Sequence, residues 1–143
     1  MWYNFAMPKI IRDNNWLLSR LDLIWSKYFS DVTQTNPLHI RFGRYSKYRL
    51  GSIRLNRKTD RSYITMSSMF KNSQIPTEVV DHTIAHELVH FAHGFSSKRA
   101  RLHKYPHAGG VVQKEMEARG MGHLNKAYKM WVKQYRNQLS HVR

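Results

Sequence analysis

The sequence predicts an α+β domain: an N-terminal helix, a small antiparallel three-stranded sheet, and then further helices. Two changes of hydrophobic period carry this prediction. Apolar residues recur at helical spacing before residue 30, alternate between Leu38 and Met66, and return to helical spacing after Pro76. The chain has 143 residues, of which 41% are hydrophobic, which suits one domain spanning residues 1–143 with a buried core.

The first helix is predicted at 16–29, where apolar residues fall three or four positions apart and either Asn14 or Asn15 can cap the N-terminus. Residues 33–37 interrupt this pattern and contain Pro37. Alternation of apolar and polar residues then predicts strands at 38–42, 52–55 and 63–66. We expect these strands to form an antiparallel meander.

Three helices are predicted after the sheet. Pro76 and Thr77 open the first, and Gly94 suits its C-terminal end. A basic loop at 96–104 separates it from a short helix at 110–119, which Gly120 closes. The last helix is predicted at 124–139 from its regularly spaced leucines and aromatic residues.

The composition excludes several classes of site. The chain has no cysteine, which rules out disulfide frameworks, thiolate zinc fingers, iron–sulfur clusters and cysteine nucleophiles. Any metal ion must therefore be held by histidine, aspartate or glutamate. The sequence has no apolar run near the roughly 20 residues of a membrane span, and no signal-peptide pattern. We therefore expect a cytoplasmic or nucleic-acid-associated protein that does not enter a membrane.

The predicted helix after Pro76 contains the motif His86-Glu87-Leu88-Val89-His90. Histidines four residues apart lie one above the other on a helix and can bind one zinc ion. Glu87 is turned by about 100° from His86 around the helix and can reach a water on the metal without ligating it. Such a carboxylate acts as the general base when the water attacks a peptide carbonyl.

A zinc site of this kind needs a third protein ligand and an open fourth position. His93 follows on nearly the same helix face, but it lies one turn too far along to reach the same metal without unwinding. The metzincin pattern would require glycine at position 93 and histidine at position 96, and the sequence has neither. Several candidates remain, on the basic loop and on the next helix: His103, His107, Glu115 and Glu117.

The chain resembles the SprT-like metallopeptidases, the family that includes the Spartan DNA–protein crosslink proteases. The resemblance covers about residues 38–122. It rests on the motif at 84–90, on Pro106 followed by His107, and on Gly120. Upstream, residues 50–53, 64–67, Pro76 and Val79-Val80 resemble the family's approach to its motif.

The resemblance implies a zincin-like minimal protease core. It implies that His86, His90 and His107 hold one Zn²⁺ per chain and that Glu87 is the catalytic base. The implied activity is zinc-dependent endopeptidase cleavage of proteins, with substrates that are bound or crosslinked to DNA, as in DNA repair. The zinc ribbon carried by some relatives needs cysteines, which this chain lacks.

The charge balance points to a polyanionic partner. Lysine and arginine number 24 against 9 acidic residues, a net charge of +15, which favours contact with DNA or another nucleic acid. Two segments contain much of the excess positive charge: residues 41–61, where tyrosines lie between the basic residues, and residues 98–104. The basic residues of these segments are Arg41, Arg44, Lys47, Arg49, Arg54, Arg57, Lys58, Arg61, Lys98, Arg99, Arg101 and Lys104.

Two other functions stay open at this point. The chain could be a basic nucleic-acid-binding module whose metal site is structural or non-catalytic. It could also be a zinc hydrolase that acts on a substrate other than a peptide. Metal content and the effect of replacing His86 or His90 distinguish an enzyme from a binding module.

Overall fold

The computed structural model describes residues 10–141 and confirms the α+β class. Its elements are α1 (Asn14–Tyr28), β1 (Leu38–Phe42), β2 (Gly51–Asn56), β3 (Arg61–Met66), α2 (Thr77–Ala92), α3 (Val111–Ala118) and α4 (Gly122–His141). Short 3-10 turns at Ser68–Lys71 and Ala108–Gly110 precede α2 and α3. Within the described range, no helix combines the length and apolar character needed to cross a membrane.

The sheet is mixed, so the antiparallel prediction was wrong for one of its two strand pairs. The strand order is β1-β3-β2. β2 and β3 form an antiparallel hairpin, whereas β1 pairs parallel to β3 with Ile40 opposite Ile64. The reason is topological: β3 inserts between β1 and β2, so the two strands that run the same way become neighbours. This order leaves β2 at one edge of the sheet.

The N-terminus of α1 is capped by Asp13, whose side chain accepts a hydrogen bond from the Trp16 N–H at 2.8 Å. The expected caps, Asn14 and Asn15, lie inside the helix. Asn14 instead accepts a hydrogen bond from the Phe42 N–H at 2.9 Å. Its side chain therefore ties the start of α1 to the end of β1.

Helix α2 is the centre of the core. Thirteen of its 16 residues are buried, including polar residues on several sides of the helix. Arg20 on α1 forms a two-pronged ion pair with Asp81 on α2, with N···O distances of 2.9 and 2.6 Å. Burial of both apolar and paired polar groups fixes the orientation of α2 between α1, the sheet and the C-terminal helices.

Helix α2 ends just before Gly94, as the sequence predicted, and its end forms a Schellman motif around this glycine. The N–H of Phe95 donates to the His90 carbonyl at 2.9 Å, and the N–H of Gly94 donates to the Phe91 carbonyl at 3.1 Å. Gly94 has a φ of +84°, in the left-handed region that glycine adopts without strain. This cap turns the chain back over the sheet.

Three serines then hold the segment after Gly94 against the sheet and α2. The hydroxyl of Ser96 donates to the Ile53 carbonyl at 3.1 Å, and that of Ser97 donates to the Phe91 carbonyl at 2.9 Å. The buried hydroxyl of Ser62 on β3 donates to the Ser96 carbonyl at 2.6 Å. The segment has no helix or strand, so these side chains position it.

Helix α2 and strand β2 pack so closely at Gly51 that no other side chain fits there. A Cβ atom at this position would lie 2.6 Å from Cγ2 of Thr83, which is shorter than real Cβ contacts. The hydroxyl of Thr83 donates to the Val79 carbonyl at 3.1 Å, which holds this side chain in place. The absence of a side chain at Gly51 thus sets the distance between helix and edge strand.

Replacing Gly51 with alanine is expected to lower the free energy of unfolding by about 1–3 kcal/mol, the usual range for overpacking. Replacing Thr83 with serine removes Cγ2 and keeps the hydroxyl, so Gly51→Ala/Thr83→Ser should regain most of the loss. Urea denaturation of the four proteins in a double-mutant cycle measures this coupling. Strictly additive effects of the two substitutions would contradict the packing argument.

Candidate metal centre

Three histidines meet at one side of α2. His86 and His90 lie one turn apart on the helix, and His107 approaches from the segment that precedes α3. Two consecutive glycines follow, Gly109 and Gly110, with φ angles of +65° and +67°. Their left-handed conformation reverses the chain into α3 and leaves His107 beside α2.

The ring nitrogens of these histidines form a tight triangle. The Nε2–Nε2 distances are 3.1 Å between His86 and His90, 3.0 Å between His90 and His107, and 3.3 Å between His86 and His107. Ligands about 2.05 Å from a tetrahedral zinc ion lie about 3.3–3.4 Å from one another. The triangle therefore fits three ligands of one metal ion, and this group could hold one.

The protonation of the cluster also suits a metal. Burial, together with smaller contributions from the neighbouring rings of His82 and His107, lowers the pKa of His86 to about 4. Burial likewise lowers the pKa of His90 to about 3, with His86, His107 and His93 adding to the effect. Both imidazoles are neutral near pH 7, which is the form that binds metal ions.

Glu87 lies beside the cluster and outside the ligand group. It is 6% exposed, and its Oε1 atom would be 3.6 Å from a Cβ atom at Gly51, which places the carboxylate against the edge strand. Burial raises its pKa to about 7, while the positive charge of Arg49 acts in the opposite direction. A carboxylate with a pKa near neutrality can both accept and return a proton.

The histidines and Glu87 line a cleft of about 550 Å³, the size of small-ligand and peptide sites. One wall is the start of β2, another is α2, and a third is the segment after Gly94. The cleft is lined by Tyr48, Arg49, Leu50, Gly51, Ser52, Ile53, His82, Thr83, His86, Glu87, His90, Phe95, Ser96, Arg101, Pro106, His107 and Tyr128.

The edge strand presents its backbone to this cleft. The Leu50 carbonyl accepts a hydrogen bond from the Ser67 N–H of the neighbouring chain segment at 2.8 Å. Backbone groups alternate along an antiparallel strand, so those of Gly51 and Ile53 point away from β3. The hydrogen bond from Ser96 to the Ile53 carbonyl agrees with this direction.

The remaining candidates for a third ligand have other partners. His93 is buried, and its Nε2 atom lies 2.9 Å from Oε1 of Glu115 on α3. The two candidates therefore pair with each other. The ring of His103 packs edge-on against His93 at 4.6 Å, and Glu117 is exposed on α3. Among the described residues, His86, His90 and His107 alone form a group of metal-binding geometry.

Two further cleft residues were not singled out from the sequence. His82 is buried one turn before His86, and its ring stacks on that of Tyr128 with centroids 4.1 Å apart. Burial lowers the pKa of His82 to about 4. The sequence did contain a signal for His82, because this residue lies four positions before His86 and so falls on the same helix face. Tyr128 had none, because its position on α4 matches that of a core residue.

Some basic side chains of the two segments already have partners within the fold. Lys98 pairs with Asp60 at 3.5 Å, and the guanidinium of Arg99 donates to the Ala92 and Thr33 carbonyls. Arg49 and Arg101 line the cleft from two different walls. The basic loop thus supplies both structural contacts and charge at the candidate metal centre.

Comparisons with known proteins identify no relative: no protein-family model matches the chain, and neither the curated proteins nor the solved structures contain a match.

We expect the purified protein to bind about one divalent metal ion per chain at a three-histidine site. Metal affinity should fall by more than about 100-fold in each of three variants: His86→Ala, His90→Ala and His107→Ala. Loss of a residue that merely orients a metal ligand already lowers metal affinity by about 10- to 100-fold, and loss of the ligand itself should cost more. Competition with a chromophoric chelator measures the affinity. His103→Ala is the matched control and should bind normally. Normal binding by His107→Ala with loss in Glu115→Gln would refute the assignment.

Proposed function

We propose that this protein is a zinc-dependent endopeptidase of SprT-like type. The observation that carries the proposal is the joint placement of three clustered imidazoles and one buried carboxylate in a cleft bordered by an edge strand. His86, His90 and His107 are the proposed ligands, and Glu87 is the proposed base. The same residues follow from the resemblance of the sequence.

The donor set favours zinc. Three imidazole nitrogens with an open fourth position are typical of catalytic zinc, whereas magnesium and calcium prefer oxygen ligands. The separations of 3.0–3.3 Å between the nitrogens match a tetrahedral ion. When bound, zinc acts as a Lewis acid and makes a water molecule acidic enough to react near pH 7.

The chain's own groups account for the proton transfers. The carboxylate of Glu87 accepts a proton from the attacking water and returns it to the amine that leaves when the peptide bond breaks. Its burial beside Gly51 keeps bulk water from solvating the carboxylate. Packing of α2 holds Glu87 next to His86, so the base is positioned before the substrate binds.

The edge strand supports a peptide as the substrate. The Gly51 N–H and carbonyl and the Ile53 N–H point away from β3 at the edge that lines the cleft, while the Ile53 carbonyl already accepts from Ser96. An extended peptide can pair with such an edge as an added strand. Main-chain pairing is independent of side chains, which suits cleavage of unfolded or extended protein segments. A non-peptide substrate would make no use of this strand.

An exposed basic and aromatic loop favours nucleic acid as a second partner. Tyr48 is 83% exposed and Tyr45 is 60% exposed, and Arg44 and Lys47 lie between and beside them. Aromatic rings stack on bases while cationic side chains contact phosphates. This loop leads into β2, so a bound nucleic acid would lie next to the cleft. Proteins associated with DNA are therefore the proposed natural substrates.

Glu87→Gln is expected to lower the rate of cleavage of an unfolded casein-like protein by about 100- to 10,000-fold, the usual contribution of a general base. The variant should keep its metal ion, because Glu87 lies outside the ligand group. Glu117→Gln, an exposed change on α3, is the control. Cleavage by Glu87→Gln at the wild-type rate would refute the mechanism. A metal-bound wild-type protein that cleaves nothing would favour a non-catalytic binding module.

Replacing both Tyr45 and Tyr48 with alanine should weaken binding of a single-stranded oligonucleotide by about tenfold or more, since each base–aromatic stack contributes about 1–3 kcal/mol. Wild-type affinity should fall steeply with salt concentration. Fluorescence anisotropy measures both effects. Leu23→Ala, an exposed apolar change on α1, is the control. Salt-independent binding, or equal affinity of the double variant, would exclude this loop as the nucleic-acid site.

A further inference from the structure

We propose that the cleft selects peptides with acidic side chains on both sides of the cleaved bond, through Arg49 and Arg101. This specificity rests on the proposed peptidase function and defines its substrate class more closely. The two arginines line the cleft from different walls, Arg49 from the approach to β2 and Arg101 from the loop after α2.

The charges that line the cleft are unequal. Besides the histidines, its charged residues are Glu87, Arg49 and Arg101. Glu87 is buried at its base, whereas both arginines are exposed. Within residues 10–141, neither guanidinium forms an ion pair. A substrate therefore meets two positive charges near the cleft surface and no exposed carboxylate lining it.

The two arginines lie beside different residues of the edge strand. Arg49 precedes Gly51, the residue packed against Thr83 and Glu87. Arg101 stacks on Phe95 at 5.1 Å. The residue after Phe95 is Ser96, whose hydroxyl donates a hydrogen bond to the Ile53 carbonyl. A peptide extended along β2 thus passes one arginine at the Gly51 end and the other at the Ile53 end.

The side chains are suited to carboxylates in different ways. Arg101 is held by its stack on Phe95, which in turn packs edge-on against His90 at 6.3 Å. The planar guanidinium can accept a carboxylate with two hydrogen bonds while it stays stacked. Arg49 is exposed and lines the cleft next to Leu50 and Gly51 at the start of β2. Basic substrate side chains would be repelled at both ends.

The test uses fluorogenic peptides that are identical except for glutamate, glutamine or lysine at the positions flanking the cleaved bond. Exposed charge pairs contribute about threefold each, so the wild-type protein should prefer glutamate over glutamine by about tenfold in kcat/KM. Arg49→Gln/Arg101→Gln should lose this preference. Arg49→Lys/Arg101→Lys retains both charges and should keep the charge-dependent part of the preference, while it loses the planar two-hydrogen-bond contact beside Phe95.

A matched control removes two charges elsewhere. Lys114→Gln/Lys126→Gln changes exposed positions on α3 and α4 that do not line the cleft, and the preference should persist. Loss of the glutamate preference in this lysine variant would mean that the overall charge of the protein causes it, which would overturn the proposal. An equal preference for glutamine peptides in the wild type would also overturn it.

Binding separates this proposal from the peptidase function itself. Anisotropy of a fluorescent glutamate peptide with the Glu87→Gln protein reports recognition without turnover. If no peptide is cleaved by the wild type, the peptidase proposal fails, and binding that depends on Arg49 and Arg101 still supports acidic-peptide recognition. If their replacement weakens oligonucleotide binding and leaves glutamate-peptide binding unchanged, the arginines belong to a nucleic-acid site and the acidic-peptide proposal is overturned.

Discussion

Helix α2 lies in the core, and three of its polar side chains are nevertheless suited to binding a metal or moving a proton. The surrounding structure must therefore bury most of the helix and give its polar side chains partners or space. Buried polar groups cost free energy unless they find partners. Asp81 has Arg20 as its partner, and Thr83 bonds to its own helix. His86 and His90 instead face His107 across a cleft, and Glu87 lies against β2, where the absence of a side chain at Gly51 makes space.

The position of His107 depends on the path of the chain after α2. The Schellman motif at Gly94 sends the chain back over the sheet, and serine side chains fix it to β2, β3 and the end of α2. The pair between His93 and Glu115 joins α2 to α3. Side-chain hydrogen bonds, rather than regular secondary structure, thereby bring a residue 17 positions after His90 back to it. Loops that are fixed in this way often carry functional groups on a rigid scaffold.

Two groups of basic residues differ in their environment. Arg12, Arg20, Arg99 and Arg119 donate to carbonyls or carboxylates of distant segments and hold the fold together. Arg49 and Arg101 are exposed and line the cleft of the candidate metal centre, and Arg44 and Lys47 are exposed on the loop that leads into β2. The net charge of +15 therefore combines structural and surface charge. An exposed group of this kind creates a positive surface field, which is what the proposed anionic partners would require.

The sequence alone determined the elements of this fold and the histidine motif of the candidate metal centre on α2. Within residues 10–141, hydrophobic period located all three strands and the four α-helices to within a few residues, because side-chain direction repeats regularly within each element. Spacing also placed His86 and His90 on one helix face. The order of the strands, the mixed sheet and the pairing of His93 with Glu115 required the tertiary structure. His107 was one candidate among several until the chain path brought its Nε2 atom to 3.0 Å from that of His90. Period and spacing describe neighbours along the chain, whereas strand order and the cleft depend on contacts between distant segments.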